Sequence, residues 1–389
     1  MRSVLGGLAA AALLLGSASP AFALSACPGP APKVNVLLSD QGLLESVITD
    51  ARGRLYFTGP DGLMRMDARD AKPKLLTPVE SGGGLAFDSD GKLVVGYGNS
   101  IENGSTGDQT GPSGLYRVDT DTGKFTTYAT GLSMANGVAR APDGSFYASN
   151  DVGHNIDKIV NGKTQRGWSQ VESGNGMAVD LAGRYLYVNQ TFRPAAIVRI
   201  DLRDPTKVTT FAAPTDPADL AAGLDGMTID AGGRLFSAAN GGGQIWRADP
   251  DGSLCLLLDG LPKFPDGPSA VAVGNRHGTF GAANLYIVTF GGQLIELEGV
   301  VQPPVQMRLR PSWVRRGHCG RHGITFTATT TGGSPVAGAV VTLSGVTQTT
   351  GPRGRTRFAG PLGGNGPYVA SATRGGYETA TTTISVTGC

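Results

Sequence analysis

The sequence lacks several features that would place it in other classes of protein. Its 33 Lys and Arg residues nearly balance 31 Asp and Glu residues, and a formal net charge of +2 gives no reason to expect a nucleic-acid partner. No long window carries apolar residues at helical spacing, which argues against a helical architecture. Neither a Gly-x-Ser-x-Gly nor a His-Glu-x-x-His motif occurs, so two common hydrolase signatures are missing.

Long hydrophobic runs are also missing. The apolar run Leu5–Leu15 follows Arg2 and precedes the small-residue site Ala21–Ala23, the pattern of a secretory signal peptide over residues 1–23. This run is too short to span a membrane comfortably, so we predict an exported protein, secreted or in the periplasm or cell envelope, with no membrane span. The segment Leu24–Cys27 also fits a lipoprotein signal, in which Cys27 would be lipidated.

Cysteine is scarce, with four residues in the chain. An even number in an exported protein suggests disulfides, although four cysteines allow three connectivities. Cys319 and Cys389 bracket the C-terminal segment and are expected to pair, which leaves Cys27 for Cys255. Because lipidation of Cys27 would leave Cys255 as a free thiol, the sequence favours secretion over lipid anchoring.

Glycine and proline are plentiful, at 60 and 24 residues. Glycines also mark the turns of a sequence repeat. Each copy contains an apolar strand, in most copies followed by a turn with Gly and then a second strand rich in Leu, Tyr and Phe. An average spacing of about 45 residues is typical of four-stranded propeller blades. We therefore predict an all-β fold with a six-bladed β-propeller. The six copies are residues 45–57, 83–93, 136–147, 175–187, 225–236 and 269–274.

The composition changes after residue 305. A proline-containing linker over residues 300–305 separates the predicted propeller, residues 24–299, from a Thr-, Gly- and Val-rich segment, residues 306–389. Short alternating strands in this last segment predict a small β-sandwich. Stretches such as Pro335–Leu343 and Thr350–Phe358 resemble bacterial immunoglobulin-like or carboxypeptidase-regulatory-like modules, which usually space, attach or bind.

The first position of the repeat carries Glu45, Asn136, Asn175 and Asp225 in four of the copies. Asn-Gly and Asp-Gly are strong hairpin-turn signals, but each copy already has its own turn about seven residues later. Equivalent repeat positions converge on the axis of a propeller, so the four side chains should meet. Clustered carboxylates are costly without a counter-charge, and Ca²⁺ prefers oxygen ligands of this kind. The pattern predicts a divalent-metal site, with a water-filled polar channel as the alternative.

At these residues the sequence resembles the regucalcin/gluconolactonase family of six-bladed propellers, over about residues 41 to 298, and more widely the diisopropylfluorophosphatase-like and paraoxonase-like calcium hydrolases. The resemblance implies that Glu45, Asn175 and Asp225 are metal ligands. Asn136 matches an asparagine that binds metal or substrate. One departure is that Ser46-Val47 follows Glu45, where the family usually has Gly-Pro.

The chemistry implied is calcium-dependent hydrolysis of a small lactone or related ester. Asp225 is the candidate general base or nucleophile, and Asn136 is expected to orient the substrate and stabilise the oxyanion. The alternative is a non-catalytic binding or adhesion protein whose metal is structural and whose sandwich mediates attachment. The polar stretch Tyr97–Ser113 is expected to form a long loop near the channel mouth, and His154 is expected at the surface.

A basic cluster opens the C-terminal segment. It covers Arg308–Arg316, with Arg321 close behind. We expect a solvated sandwich edge, with contact to an anionic cell-envelope polymer as the alternative.

Overall fold

A computed structural model describes residues 24–192, 194–313, 323–359 and 364–386. The predicted Cys319–Cys389 pair and the signal peptide lie outside these ranges. The described chain is all-β, as predicted, with one α-helix and one short 3₁₀-helix, Asp219–Ala221, among its elements. Within the same ranges no helix is both long and apolar enough to cross a membrane.

The propeller consists of six four-stranded antiparallel sheets in the described part of the chain. The chain begins with β1 (Lys33–Leu38) and then forms five sheets from consecutive strands. Blade 1 contains β2 (Ser46–Thr49), β3 (Leu55–Gly59), β4 (Gly62–Met66) and β5 (Lys74–Thr77). Blade 2 contains β6 (Leu85–Phe87), β7 (Leu93–Tyr97), β8 (Ser113–Val118) and β9 (Phe125–Leu132). Blade 3 contains β10 (Val138–Arg140), β11 (Phe146–Ser149), β12 (Asn155–Val160) and β13 (Lys163–Gln170).

The remaining blades repeat this order. Blade 4 contains β14 (Gly174–Val179), β15 (Tyr185–Gln190), β16 (Ala196–Asp201) and β17 (Asp204–Ala212). Blade 5 contains β18 (Leu224–Ile229), β19 (Leu235–Ala239), β20 (Gln244–Ala248) and β21 (Leu254–Leu258). Blade 6 contains β22 (Pro268–Val273), β23 (Leu285–Thr289) and β24 (Leu294–Glu298), and β1 is its outermost strand. Pairing of Lys33 with Glu298 and of Val36 with Ile295 therefore closes the ring.

Neighbouring blades hold one another through apolar cores. Six clusters of buried side chains each combine residues from two adjacent sheets, for example Tyr56 and Leu63 of blade 1 with Leu93 of blade 2. Both faces of a blade are buried in this way, so inner strands such as β19 are buried at every residue rather than alternating between buried and exposed. Trp246, the largest fully buried side chain, fills the core between blades 4 and 5.

The turn between the first two strands of a blade is built by an Asp side chain. Asp50 Oδ1 accepts hydrogen bonds from the backbone N–H groups of Arg52 and Arg54, each at 2.9 Å. Asp230 serves the turn of blade 5 in the same way. The Asp88 turn, whose sequence begins like an EF-hand loop, is another such hairpin, since Asp88 Oδ1 accepts from the N–H groups of Asp90 and Lys92. Turn chemistry therefore explains why the sequence Asp-x-x-Gly recurs at these positions.

The expectation of a loop over Tyr97–Ser113 is wrong in one respect, because residues Ile101–Thr110 form helix α1. Ser100 caps its N-terminus, and its side chain accepts a hydrogen bond from the Asn103 N–H. The helix has no apolar stripe because its buried face is glycine: a Cβ on Gly107 would lie 1.7 Å from the Ser133 carbonyl oxygen. Hydrophobic periodicity could not predict this helix, because its buried positions are glycines, which have no apolar side chain.

The C-terminal segment forms two antiparallel sheets that share one core. The first contains β25 (Met307–Trp313), β26 (Ile324–Thr330) and β29 (Arg355–Phe358). The second contains β27 (Val340–Leu343), β28 (Val346–Thr349), β30 (Gly366–Thr373) and β31 (Ala380–Val386). Phe326 and Phe358 of the first sheet and Ala370 and Ile384 of the second belong to the same buried cluster. The predicted family resemblance of this sandwich stays a prediction.

The disulfide predicted between Cys27 and Cys255 is present, with the two Cα atoms 4.9 Å apart. It fixes the N-terminal segment to β21, and Cys27 N–H also donates to the Leu256 carbonyl oxygen at 2.9 Å. A disulfide of this kind is consistent with an extracellular or periplasmic protein.

The junction between propeller and sandwich begins later than residue 300. Val301 is 5% exposed and packs in the core between blades 5 and 6, and its N–H donates to the Ala283 carbonyl oxygen at 2.9 Å. The sandwich then contacts the propeller through an ion pair between Glu378 and Arg276. These contacts lie at the Asp-turn end of the blades, where Gly376 approaches Leu181 and Ala231.

We predict that truncation after Pro304 leaves a folded propeller, because the sandwich has its own core. Truncation after Glu298 removes Val301 as well and should lower the free energy of unfolding by about 1–3 kcal/mol relative to the longer fragment. Thermal unfolding of the two fragments followed by circular dichroism provides the comparison. An unfolded Pro304 fragment would show that the sandwich completes the propeller, and equal stability of the two would contradict the role of Val301.

Candidate functional site

The four residues predicted from the repeat line one cavity of about 60 Å³ on the propeller axis. Glu45 directly precedes β2, Asn136 lies just before β10, and Asn175 and Asp225 are the second residues of β14 and β18. All four therefore sit at the same end of the innermost strands. Asn136, Asn175 and Asp225 are less than 9% exposed. The structure brings together all of the residues that the repeat singled out.

The glycine after each of three of these residues permits the blades to approach closely. A Cβ on Gly176 would lie 2.4 Å from the Asp225 carbonyl oxygen, and one on Gly226 would lie 2.7 Å from the Ala270 Cα. Gly137, Gly176 and Gly226 do not adopt positive φ angles. The Asn-Gly and Asp-Gly pairs are therefore strand entrances at the axis and not hairpin turns.

Hydrogen bonds between blades fix the backbone at two of the site residues. Ser149 Oγ of blade 3 donates to the Asn175 carbonyl oxygen at 2.7 Å. Asn189 Nδ2 of blade 4 donates to the Asp225 carbonyl oxygen at 2.6 Å, while Asn189 Oδ1 accepts from Ser237 Oγ at 2.9 Å. Because all of these groups are buried, the bonds hold the two side chains at fixed positions on the rim of the cavity.

A second set of polar residues follows the second strand of four blades. In an antiparallel hairpin the end of the second strand lies beside the start of the first, so these residues reach the same end of the propeller. Each has a buried side-chain atom without a hydrogen-bond partner in the described structure. The four atoms are Asn99 Oδ1, Asp151 Oδ1, Thr191 Oγ1 and Asn240 Nδ2. The signal in the sequence that could have found this set is hairpin pairing, which brings the end of the second strand beside the first position of the repeat.

Asp151 is the most important of the residues missed from sequence. Its pKa is raised to about 6, because burial disfavours its charged form. The neighbouring Asn150 Nδ2 donates to the Gly104 carbonyl oxygen and to Asp108 Oδ1, both at 2.9 Å. Helix α1 therefore holds the strand end that carries Asp151. His154 is exposed, as expected, and its backbone N–H donates to Asp108 Oδ2 at 2.8 Å.

Two carboxyl groups that line the cavity are affected by neighbouring carboxylates. Burial, and then the charge of Asp151, raise the pKa of Glu45 to about 7, although a hydrogen bond from Asn99 Nδ2 at 2.8 Å opposes the shift. Burial, and then the charges of Glu45 and Asp151, raise the pKa of Asp225 well above its usual range. The Asn175 side chain partly offsets this by a hydrogen bond to Asp225. The fold therefore concentrates negative charge that a cation would neutralise.

The donor set fits a hard cation better than a soft one. Among the described residues, no group of three or more His, Cys, Asp or Glu side chains has a metal-binding arrangement by itself. Carboxylates and amides are instead interspersed around the cavity, and two buried acceptor oxygens, Asn99 Oδ1 and Asp151 Oδ1, have no donor. Mixed carboxylate and amide oxygens are ligands that Ca²⁺ prefers. Glu45, Asn136, Asn175 and Asp225 could hold such an ion.

Fold and site together define a six-bladed propeller with an acidic, oxygen-lined axial cavity. Residues 155–289 of the chain match the family model described as SMP-30/Gluconolactonase/LRE-like region. The resemblance stated from the sequence is thereby confirmed over these residues, which lie in blades 3 to 6. No curated protein matches the chain by sequence.

Solved structures share the propeller fold. A gluconolactonase from Xanthomonas campestris is 19% identical with a TM-score of 0.53, covering 72% of this chain and 99% of its own. Regucalcin from Agrobacterium tumefaciens, a calcium-binding protein, is also 19% identical with a TM-score of 0.53, covering 72% and 98%. A luciferin-regenerating enzyme is 17% identical with a TM-score of 0.50, covering 70% and 97%. At these identities the likeness shows the fold.

We predict that Asn189→Ala destabilises the protein by removing the side chain that bonds the Asp225 backbone. It leaves the Asp225 carbonyl oxygen without this donor and removes the acceptor of Ser237, so the free energy of unfolding should fall by about 1–3 kcal/mol. The matched control is Asn35→Ala in the outer strand β1, where Glu296 and Glu298 each keep another donor, Arg69 and Lys33, when the Asn35 amide is lost. Scanning calorimetry checks the difference. Equal losses in the two variants would contradict a special role for Asn189.

Proposed function

We propose that the protein is an exported, calcium-dependent hydrolase of small lactones or related esters. The observation that carries this proposal is the meeting of Glu45, Asn136, Asn175 and Asp225 around one axial cavity. The family match supports a lactonase-type hydrolase acting on a small molecule. Export is supported by the signal pattern of residues 1–23 and by the Cys27–Cys255 disulfide.

In this proposal Glu45, Asn136, Asn175 and Asp225 hold the calcium ion. A bound Ca²⁺ would supply a Lewis acid for the substrate carbonyl and would lower the pKa of a coordinated water. It would also lower the pKa values of Glu45 and Asp225, which burial and the charges of neighbouring carboxylates raise in its absence. Without a cation the buried carboxylates repel one another, and with a cation bound they are attracted to it. This difference is the physical reason to expect cation binding at this end of the propeller.

The protein side chains perform the remaining tasks. Asp225 acts as the general base or nucleophile, and its position is fixed by Asn175 and by the Asn189 bond to its carbonyl oxygen. Asn136 donates an amide N–H to the substrate oxygen that gains charge. Asp151, with Oδ1 free to accept, takes a proton from a water or substrate hydroxyl beside the end of β11. A cavity of about 60 Å³ admits the reacting group of a small, polar substrate.

We predict that Ca²⁺ stabilises the protein more at pH 7.5 than at pH 5. A carboxyl group whose folded-state pKa is raised contributes stability below its unfolded pKa, and this stability is lost as the pH rises through the folded value. For Glu45 and Asp151 this range runs from about 4 to about 7. Metal-free protein should therefore lose stability over this range, and saturating Ca²⁺ should raise the Tm at pH 7.5 by about 5 °C or more.

Differential scanning fluorimetry with Ca²⁺ and with excess chelator at both pH values provides the measurement. Glu45→Gln should remove most of the calcium-dependent shift, whereas Glu80→Gln, a surface substitution outside the cavity, should keep it. A calcium shift that is equal at the two pH values, or that survives in Glu45→Gln, would contradict the assignment of the metal to this cavity.

Asp225→Asn should leave the fold intact and reduce hydrolysis by more than about 100-fold, the usual range for the loss of an acid-base group. The change keeps the side-chain volume and removes one of three repelling charges, so metal-free stability should not fall. A panel of lactones and aryl esters, with and without calcium, identifies a substrate first. The control is Asp61→Asn at an exposed turn. Unchanged turnover in Asp225→Asn would remove this residue from the mechanism.

If the wild-type chain hydrolyses no member of that panel but still gains Tm with Ca²⁺, the calcium site stands without the activity. The protein would then fit the non-catalytic alternative, in which the metal is structural.

A further inference from the structure

The charge of the chain is divided unevenly between its two parts. Residues 306–389 contain nine Arg, no Lys, no Asp and a single Glu, a formal charge of +8. Since the whole chain has a net charge of +2, residues 1–305 carry −6. The single acid, Glu378, is paired with Arg276 of the propeller and therefore faces the junction. The rest of the sandwich surface has no carboxylate side chain to neutralise its arginines.

Four of these arginines lie on the outer face of the three-stranded sheet. Burial alternates along its strands: Leu309, Phe326 and Phe358 point into the core, and their neighbours point outward. The outward residues of the two flanking strands include Arg308 and Arg310 on β25 and Arg355 and Arg357 on β29, all exposed. None of these four guanidinium groups forms an ion pair or a hydrogen bond within the described residues.

A row of threonines runs between the arginines. Strand β26 separates β25 from β29, and the registers place Arg310 opposite Thr327 and Thr327 opposite Arg355. The next row joins Ser312, Thr325 and Arg357, and Arg308 lies opposite Thr329. The flanking arginine strands are about 10 Å apart, and arginines two residues apart on one strand are separated by about 7 Å. We name this surface the arginine–threonine face; it consists of Arg308, Arg310, Ser312, Thr325, Thr327, Thr329, Arg355 and Arg357.

We propose that the arginine–threonine face binds an acidic polysaccharide, a polymer of sugars that carry carboxylate groups. Arginine presents a planar fork that pairs with a carboxylate through two parallel hydrogen bonds, which a lysine cannot do. The threonine and serine hydroxyls between the forks both donate and accept hydrogen bonds, and they match the hydroxyls of sugar rings. Repeated charge along two parallel strands suits a repeating, extended ligand.

Other polyanions fit this face less well. Single-stranded nucleic acid requires aromatic side chains on which bases stack, and the arginine–threonine face has none. An anionic membrane surface is usually bound with the help of exposed apolar side chains that enter it. Large apolar side chains that are exposed in the described sandwich, Val340, Val346 and Val369, lie on the other sheet. The observations therefore favour a hydrated, carboxylate-bearing polymer.

The experiment compares the full chain with variants on sodium polygalacturonate, using dextran as the neutral control polymer. Arg310→Gln/Arg355→Gln neutralises the two arginines that flank Thr327 and should weaken binding about tenfold or more. The matched control, Lys124→Gln/Lys163→Gln, removes the same charge from exposed positions of blades 2 and 3 and should change affinity less than about twofold. Arg310→Lys/Arg355→Lys keeps the charge and should still lose affinity, because the bidentate geometry is gone.

The same measurement separates this site from the proposed catalytic one. Asp225→Asn should bind polygalacturonate as the wild type does, since it lies on the propeller axis. Affinity should fall as the salt concentration rises, because exposed charges are screened. The proposal is overturned if polygalacturonate does not bind, if the arginine and lysine variants bind equally well, or if duplex DNA or anionic lipid vesicles bind more tightly at the same salt concentration.

Discussion

The pairing of β1 with β24 is the constraint on which the rest of the structure depends. It joins residues near the start of the chain to residues near the end of the propeller, Lys33 to Glu298, and so converts six sheets into a ring. Only a closed ring places the starts of all innermost strands around one axis. The four polar first positions become neighbours for this reason, although 180 residues separate Glu45 from Asp225 in the sequence.

The ring also explains why the cavity is electrostatically costly without a cation. Blade packing buries Asn175 and Asp225, and the interblade bonds of Ser149 and Asn189 prevent their backbones from moving apart. Glu45, Asp151 and Asp225 therefore stay buried, and burial raises the pKa of each; the charges of neighbouring carboxylates raise the pKa values of Glu45 and Asp225 further. The apolar cores between blades supply the stability that tolerates this arrangement.

The sequence predicted the features that recur. The repeated hairpins predicted the number of blades. The first position of the repeat identified Glu45, Asn136, Asn175 and Asp225, because this position varies while the other positions of the repeat are similar in every copy. Cys27–Cys255 was predicted because Cys319 and Cys389 bracket the C-terminal segment and leave the other two cysteines for one another. Features without a periodic signal were missed. Helix α1 packs through Gly104 and Gly107, and Asp151 stands at a strand end whose proximity to the axis depends on hairpin pairing.

Closure of the ring determines when, during folding, the residues around the axis come together. Contacts between Lys33 and Glu298 close a very long loop, and such contacts are entropically costly and form slowly. Until they form, the blades make an open arc whose first and last members are free to separate, and Glu45 in blade 1 is not held opposite Asp225 in blade 5. In the function proposed above, cation affinity is therefore a property of the completed circle and not of any blade, and calcium binding would report on whether the outermost strand, far from the axis, is in place.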